Sequence, residues 1–182
     1  MLQKNWLELI KPNKMDINVK ENNGRNGVLV AEPLERGFGL TLGNALRRIL
    51  LSSLQGAAIT SIKVKGVLHE FSTIPGVKED LTDIVLNLKT VGIKVHSSGA
   101  RKMFLKMKGP GEVRAGNFET DSETEIMDPD QIIMTLDSNA DVEIEANVTT
   151  GKGYVSAEVA EDENKNIGEI QLDALFSPVR KV

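Results

Sequence analysis

Only two segments of this chain place their apolar residues at helical spacing, whereas most of the remainder alternates apolar and polar residues as strands do. The first helical segment covers residues 39–54, and the second begins near residue 77 and ends before Gly92. Two helices among many short strands limit the chain to a mixed architecture. We therefore predict an α+β fold.

The first helical segment has two different faces. At about 100° per residue, Arg47, Arg48 and Leu51 fall on the side opposite the apolar stripe. The stripe consists of Leu42, Ala45, Leu46, Ile49 and Leu50. We expect the stripe to face the core and Gly56 to stop the helix. The arginine face is either a solvated surface or a surface that docks a partner.

The second helical segment repeats this arrangement on a smaller scale. Its apolar stripe consists of Val77, Leu81, Ile84, Val85 and Leu88. Glu79 and Asp80 are predicted in its first turn and Lys89 in its last, as the helix dipole favours. Leu86 and Lys89 lie outside the stripe, again on a face that is either solvated or used for docking.

The strand-like segments are short and are separated by turn residues. Residues 16–20 and 27–31 flank the turn-rich stretch 21–24 and predict a hairpin. Residues 57–71 predict a second hairpin around Lys65 and Gly66. Further strands are expected at residues 103–107, 132–136, 142–148 and 168–176, with a solvated polar loop at 161–166.

Composition excludes several classes of function. The chain of 182 residues has no cysteine, so disulfides, thiolate catalysis and Cys-ligated metal sites are excluded. A net charge of -4 and only 4% aromatic residues disfavour direct binding of nucleic acid. The sequence shows neither a secretory signal nor an apolar run that could span a membrane. We therefore expect a cytoplasmic protein without membrane contact.

Motifs for catalysis, cofactors or metals are weak. Gly37, Gly39 and Gly43 could cradle a phosphate at a helix N-terminus, but their spacing fits neither the dinucleotide fingerprint nor a P-loop. His69 and His96, the only histidines, have no partner at metal-ligand spacing. We assign no catalytic residue, no cofactor and no metal site.

The stretch of residues 34–53 resembles the signature helix of the bacterial RNA polymerase alpha subunit. Shorter stretches that are similar to the same family follow in order at residues 66–73, 76–80, 86–89, 151–154 and 173–179. The similarity covers almost the whole chain and points to the N-terminal assembly domain of that family.

The resemblance implies a two-part architecture. Residues 1–55 and 175–182 would form an incomplete dimerisation subdomain with a helix packed on an antiparallel sheet, interrupted by an inserted β-rich subdomain at 56–174. Family members continue with a strand and helix that complete the dimer interface, then with a linker and a DNA-binding domain. We therefore expect a truncated form of the domain, with homodimerisation in the full-length protein.

The resemblance also implies a non-catalytic scaffold that docks the beta and beta-prime subunits. One protomer would contact beta through Arg48 and Leu51, with His69 and Asp83 as weaker candidates, and neighbouring Arg47 is included in that interface. The other protomer would contact beta-prime through two positions, Lys89 and Leu172. Two alternatives remain: a nucleotide-binding protein that uses the Gly37/Gly39/Gly43 loop, and a β-rich structural module.

Overall fold

The computed structural model describes residues 9–20, 25–97, 99–157 and 168–182. The chain divides into two compact units, Met1–Arg48 and Ile49–Val182. Two α-helices and antiparallel strands confirm the predicted α+β class. The division comes earlier than the predicted boundary at residue 56, and it keeps residues 175–182 with the second unit.

The first unit contains the predicted hairpin. Strand β1 (Lys14–Lys20) pairs antiparallel with β2 (Asn26–Glu32), with Lys14 opposite Glu32 and Lys20 opposite Asn26. This confirms the prediction, although the turn at 21–24 lies outside the described residues. Both strands begin and end within two residues of the predicted limits.

One face of this hairpin is apolar and exposed. Met15, Ile17 and Val19 alternate along β1, and Ile17 stands directly opposite Leu29 of β2. Residues directly opposite each other share a face of the sheet, so these four side chains lie together. All four are exposed, and a two-stranded hairpin is at best marginally stable by itself.

Helix α1 (Phe38–Ser52) confirms the first predicted helix, but the expectation for its apolar stripe was wrong. None of its fifteen residues, all of which the structure describes, is buried. Leu42, Leu46 and Ile49 of the stripe are exposed. Helical periodicity defines which residues share a face, whereas it does not specify what covers that face. Gly56 also does not stop this helix, because it lies in the strand that follows.

The second unit contains ten strands among its described residues. They are β3 (Gln55–Val64), β4 (Ile93–Val95), β5 (Arg101–Lys108), β6 (Gly111–Arg114), β7 (Thr124–Ile126), β8 (Ile132–Leu136), β9 (Asp141–Lys152), β10 (Tyr154–Val155), β11 (Glu169–Gln171) and β12 (Ala174–Leu175). The strands predicted at 103–107, 132–136 and 142–148 are confirmed as β5, β8 and β9.

Strand β3 is the centre of the main sheet. It pairs antiparallel with β9 along almost its whole length, and β9 pairs with β5 on its other side. The opposite edge of β3 is shared by β4 and β11, and β4 continues to β7. Two smaller antiparallel pairs, β6 with β8 and β10 with β12, complete the unit.

The predicted second hairpin at 57–71 was wrong. Its first half is β3, and Lys65 and Gly66 do form a turn, with Gly66 at a φ of 81°. Residues 67–71, however, form no strand. The partner of β3 is β9, which comes almost ninety residues later, and local alternation cannot identify a partner at that distance in the chain.

Helix α2 (Leu81–Thr90) begins later than the apolar pattern suggested. Asp80 is its N-cap, and its carboxylate accepts a hydrogen bond of 2.8 Å from the backbone N–H of Asp83. Val77 therefore lies before the helix, where it bridges to Leu136. The expectation that Glu79 and Asp80 belong to the first turn was wrong for the same reason.

The core lies between α2 and the sheets. Leu81, Ile84 and Leu88 are fully buried on the inner face of α2, which packs against β3 and β8. Alternate residues of β9 are buried, while Glu143 and Glu145 lie on the polar face and pair with lysines. The core is mainly aliphatic, since the chain has few aromatic residues.

The predicted final strand at 168–176 is divided into β11 and β12. Leu172 still donates its backbone N–H to the carbonyl of Thr60 at 2.8 Å. Asp173 then leaves the main sheet, and the next two residues pair with β10. The predicted polar loop at 161–166 lies outside the described residues.

Candidate subunit interface

The predicted α1 site consists of Arg47, Arg48 and Leu51. Both arginines are exposed, and Leu51 is half-buried. The end of α1 lies in the second unit. There the Ser177 hydroxyl donates a hydrogen bond to the Leu50 carbonyl at 3.3 Å. Leu51 therefore belongs to a turn whose backbone is anchored.

The glycines of the alternative phosphate loop do not form a loop. Gly39 and Gly43 lie within α1, and only Gly37 precedes it, with a positive φ of 88°. Gly37 accepts a hydrogen bond from the Thr41 backbone N–H at 3.4 Å, as the first turn of a helix requires. The geometry gives no support to nucleotide binding there.

His69 and Asp83 are brought to the same end of α2. The loop that contains His69 is tied to the first turn of the helix by two hydrogen bonds. The Leu81 backbone N–H donates to the Ser72 carbonyl at 3.2 Å, and the Thr82 hydroxyl donates to the Glu70 carbonyl at 3.2 Å. Both candidate side chains are exposed, so a single partner surface could contact them together.

The His69 ring is oriented by a neighbouring hydroxyl. A hydrogen bond of 3.0 Å joins the Ser72 Oγ to the His69 Nδ1. Glu70 lies in the same loop, and Asp80 and Asp83 lie at the N-terminal end of α2; all three are exposed. The loop and the helix N-terminus therefore present a surface that would complement a basic partner.

Lys89 lies at the other end of α2, in its last turn. Its Nζ is 2.5 Å from Oδ1 of Asp173, with side-chain exposures of 26% and 36%. The Tyr154 hydroxyl donates to Oδ2 of the same carboxylate at 3.3 Å. The three side chains, named here the Lys89 cluster, join α2 to β10 and to the segment before β12.

The electrostatics of the Lys89 cluster favour the ionised carboxylate. The hydrogen bond from Lys89 lowers the pKa of Asp173 below its ordinary value of 3.8, burial opposes this, and the charge of Lys89 and the Tyr154 hydroxyl assist. Asp173 therefore remains ionised and paired with Lys89 under neutral conditions.

Leu172 is only 4% exposed and belongs to the core. Its side chain is therefore not presented to a partner in this conformation, although it lies next to Asp173. The sequence pattern did not reveal this burial, because Leu172 falls between two short strands where alternation breaks down.

The sequence interpretation missed two members of this site, Tyr154 and Asp173. Each lies in a stretch that matched the family, 151–154 and 173–179, and that was the available signal. Gly151 of the first stretch has a packing role, because a Cβ at this position would lie 2.8 Å from the Phe176 ring.

The two ends of α2 are separated by the length of the helix, which for ten residues is about 15 Å. Among the described residues, no group of three or more His, Cys, Asp or Glu side chains is arranged to hold a metal ion. Neither helix in the described part of the chain has the length and apolarity needed to cross a membrane.

The family model described as RNA polymerase Rpb3/RpoA insert domain matches residues 62–177, which is more than half of the chain. The match includes His69 and Asp83 at one end of α2 and the whole Lys89 cluster at the other.

Proposed function

Because this chain belongs to the family of RNA polymerase Rpb3/RpoA insert domains, we propose that it is a non-catalytic assembly scaffold of DNA-directed RNA polymerase. It dimerises and docks the beta and beta-prime subunits, while the chemistry of nucleotide transfer belongs to other subunits. The lack of cysteine suits a reducing cytoplasm, which is where we place the protein.

The observation that carries this proposal is the exposure of α1. A helix of fifteen residues with no buried side chain is marginal in water, because most helices in proteins are stabilised by packing of their apolar face. The exposed apolar face of the β1–β2 hairpin lies in the same unit as residues 38–48 of α1. Uncovered apolar surface on this scale is typical of association surfaces.

The two faces of α1 suggest two partners. The apolar stripe, with Leu42, Leu46 and Ile49, is the surface that a second copy of the chain covers. The opposite face, with Arg48 and Leu51, is the docking surface for beta, and Arg47 lies next to it. His69, in the loop before α2, and Asp83, in its first turn, make a further contact with beta.

The contact with beta-prime is assigned to the other end of α2. Lys89 is partly exposed there, and the buried Leu172 directly precedes Asp173, the partner of Lys89. We propose no direct contact of this portion with nucleic acid, in agreement with its negative charge.

Replacement of Arg48 by alanine tests the docking face. We expect Arg48→Ala to change the free energy of unfolding by no more than about 0.5 kcal/mol, as is usual for a surface substitution. Loss of an interface arginine commonly costs about 2 kcal/mol, which corresponds to a more than tenfold loss of affinity for beta. Leu51→Ala should act alike, through lost apolar contact.

The measurement pairs thermal unfolding with capture of purified beta by the tagged chain. Lys94→Ala is the matched control, since it removes an exposed cation from strand β4, outside the proposed interface. Equal capture by Arg48→Ala and Lys94→Ala would show that the docking face is wrongly assigned, as would a loss that merely follows unfolding.

A further inference from the structure

The last turns of both helices have backbone carbonyl groups that need partners from outside the helix. The final four carbonyl groups of an α-helix have no partner within it. In α1 the Leu50 carbonyl is one of these, and it accepts a hydrogen bond from the Ser177 hydroxyl at 3.3 Å. In α2 the Thr90 carbonyl is another, and it accepts one from the Arg180 guanidinium at 2.7 Å. Residues 177–180 therefore contact the ends of both helices.

The segment between these two contacts has little conformational freedom. Ser177 is buried, and its hydroxyl oxygen accepts a hydrogen bond from the Val179 backbone N–H at 3.3 Å. Pro178 lies between them, and its ring fixes the backbone dihedral φ. The preceding residue, Phe176, is buried as well, and its backbone N–H donates to the Gly153 carbonyl at 2.8 Å. The segment is therefore stiff where it joins the two helix ends.

Both contacts stabilise a helix end. None of the fifteen residues of α1 is buried, so its last turn depends on contacts such as the one at Leu50. At the end of α2, the charge of Arg180 also interacts favourably with the negative end of the helix dipole. Both helix ends belong to the compact unit that begins at Ile49, so the connection lies within one unit.

We propose that residues 177–180 form a coupling strut, through which local opening at the end of α2 loosens the end of α1, and the reverse. When the arginine contact breaks, the stiff segment moves and the hydrogen bond to α1 weakens. Coupling of this kind is reciprocal at equilibrium. The inference goes beyond the proposed function and needs no partner. Under that function, the strut links Leu51 in one last turn with Lys89 in the other.

Hydrogen exchange at two amides measures local opening at each helix end. The Ser53 amide bonds to the Ile49 carbonyl at the end of α1, and the Val91 amide bonds to the Leu88 carbonyl at the end of α2. Arg180→Ala should speed exchange at Val91 about two- to fivefold, the effect usual for a cation at a helix C-terminus. Through the strut, it should also speed exchange at Ser53 about twofold.

Ser177→Ala tests the reverse direction. It should speed exchange at Ser53 directly and at Val91 through the strut. The double variant with Arg180→Ala separates coupling from two independent losses. Once the Ser177 hydroxyl is absent, adding Arg180→Ala should leave exchange at Ser53 unchanged. A further increase there would overturn the strut.

Lys181→Ala is the matched control, because it removes an exposed cation from the residue that follows Arg180. It should leave both amides at the wild-type rate, and an effect equal to that of Arg180→Ala would overturn the strut. The Val148 amide reports unfolding of the whole unit, because β9 is paired on both sides.

In Arg180→Ala, an unchanged rate at Ser53 would overturn the coupling, and so would an increase that is matched at Val148. The exchange measurements use the chain without partners. Failure of the wild-type chain to capture beta or beta-prime would refute the proposed function, whereas the exchange rates decide separately whether the strut couples the two helix ends.

Discussion

Gly56 shows how closely two backbones approach in the second unit. A Cβ at this position would lie 2.0 Å from the carbonyl oxygen of Phe176. A backbone atom cannot move aside as the end of a flexible side chain can. Only glycine therefore allows β3 to lie against the segment that carries Phe176.

Gly56→Ala should consequently destabilise the chain by about 1–3 kcal/mol, the usual range for overpacking. Gly92→Ala is the control, because its Cβ would meet Met127 only at 3.4 Å. That change should be neutral or stabilise the chain by up to about 1 kcal/mol, through a less flexible unfolded state. Denaturant unfolding measures both, and similar values would contradict the close contact.

At the scale of elements, a carboxylate just before α2 bonds to strand β8. Glu79 accepts hydrogen bonds from the Thr135 backbone N–H at 2.7 Å and from the Thr135 hydroxyl at 3.0 Å. Burial disfavours its charged form, yet these bonds outweigh burial and lower the pKa of Glu79 below its ordinary value of 4.5. The contact therefore depends on the ionised carboxylate.

A lowered pKa in the folded state gives a definite sign to the pH dependence. The stabilisation by Glu79 is complete above pH 4.5, and it is lost as the pH falls through the lower folded value. When the pH falls from 7 to a value below the folded pKa of Glu79, the free energy of unfolding should therefore decline less in Glu79→Gln than in the wild type. Denaturant unfolding at these two pH values is the measurement, with exposed Glu70→Gln as the control. An equally steep decline in Glu79→Gln would contradict this role.

At the scale of the whole molecule, uncovered apolar surface should cause self-association. Ile17 lies at the centre of the apolar face of the β1–β2 hairpin. Ile17→Ser should weaken the concentration-dependent association of the chain in analytical ultracentrifugation, because it removes apolar contact area. Asn18→Ser is the control on the opposite face and should leave association unchanged. A clean wild-type monomer at high concentration would contradict the prediction.

The sequence by itself determined the elements whose signals are local. The hairpin, both helices and strands β5, β8 and β9 were predictable, because periodicity records which residues share a face. The resemblance over residues 34–53 and the later stretches led to the family that the match at 62–177 then showed. Lys89 was also identified as a candidate interface residue, but its bond to Asp173 was not predicted.

Only the tertiary structure decided which elements meet. Strand β3 pairs with the distant β9 instead of the adjacent residues 67–71. Lys89 meets Asp173 across 84 residues of sequence, and Leu172 is buried. A local pattern specifies which residues share a face. Pairing between distant segments depends instead on the packing of the whole core, and a short stretch of neighbouring residues does not determine that packing.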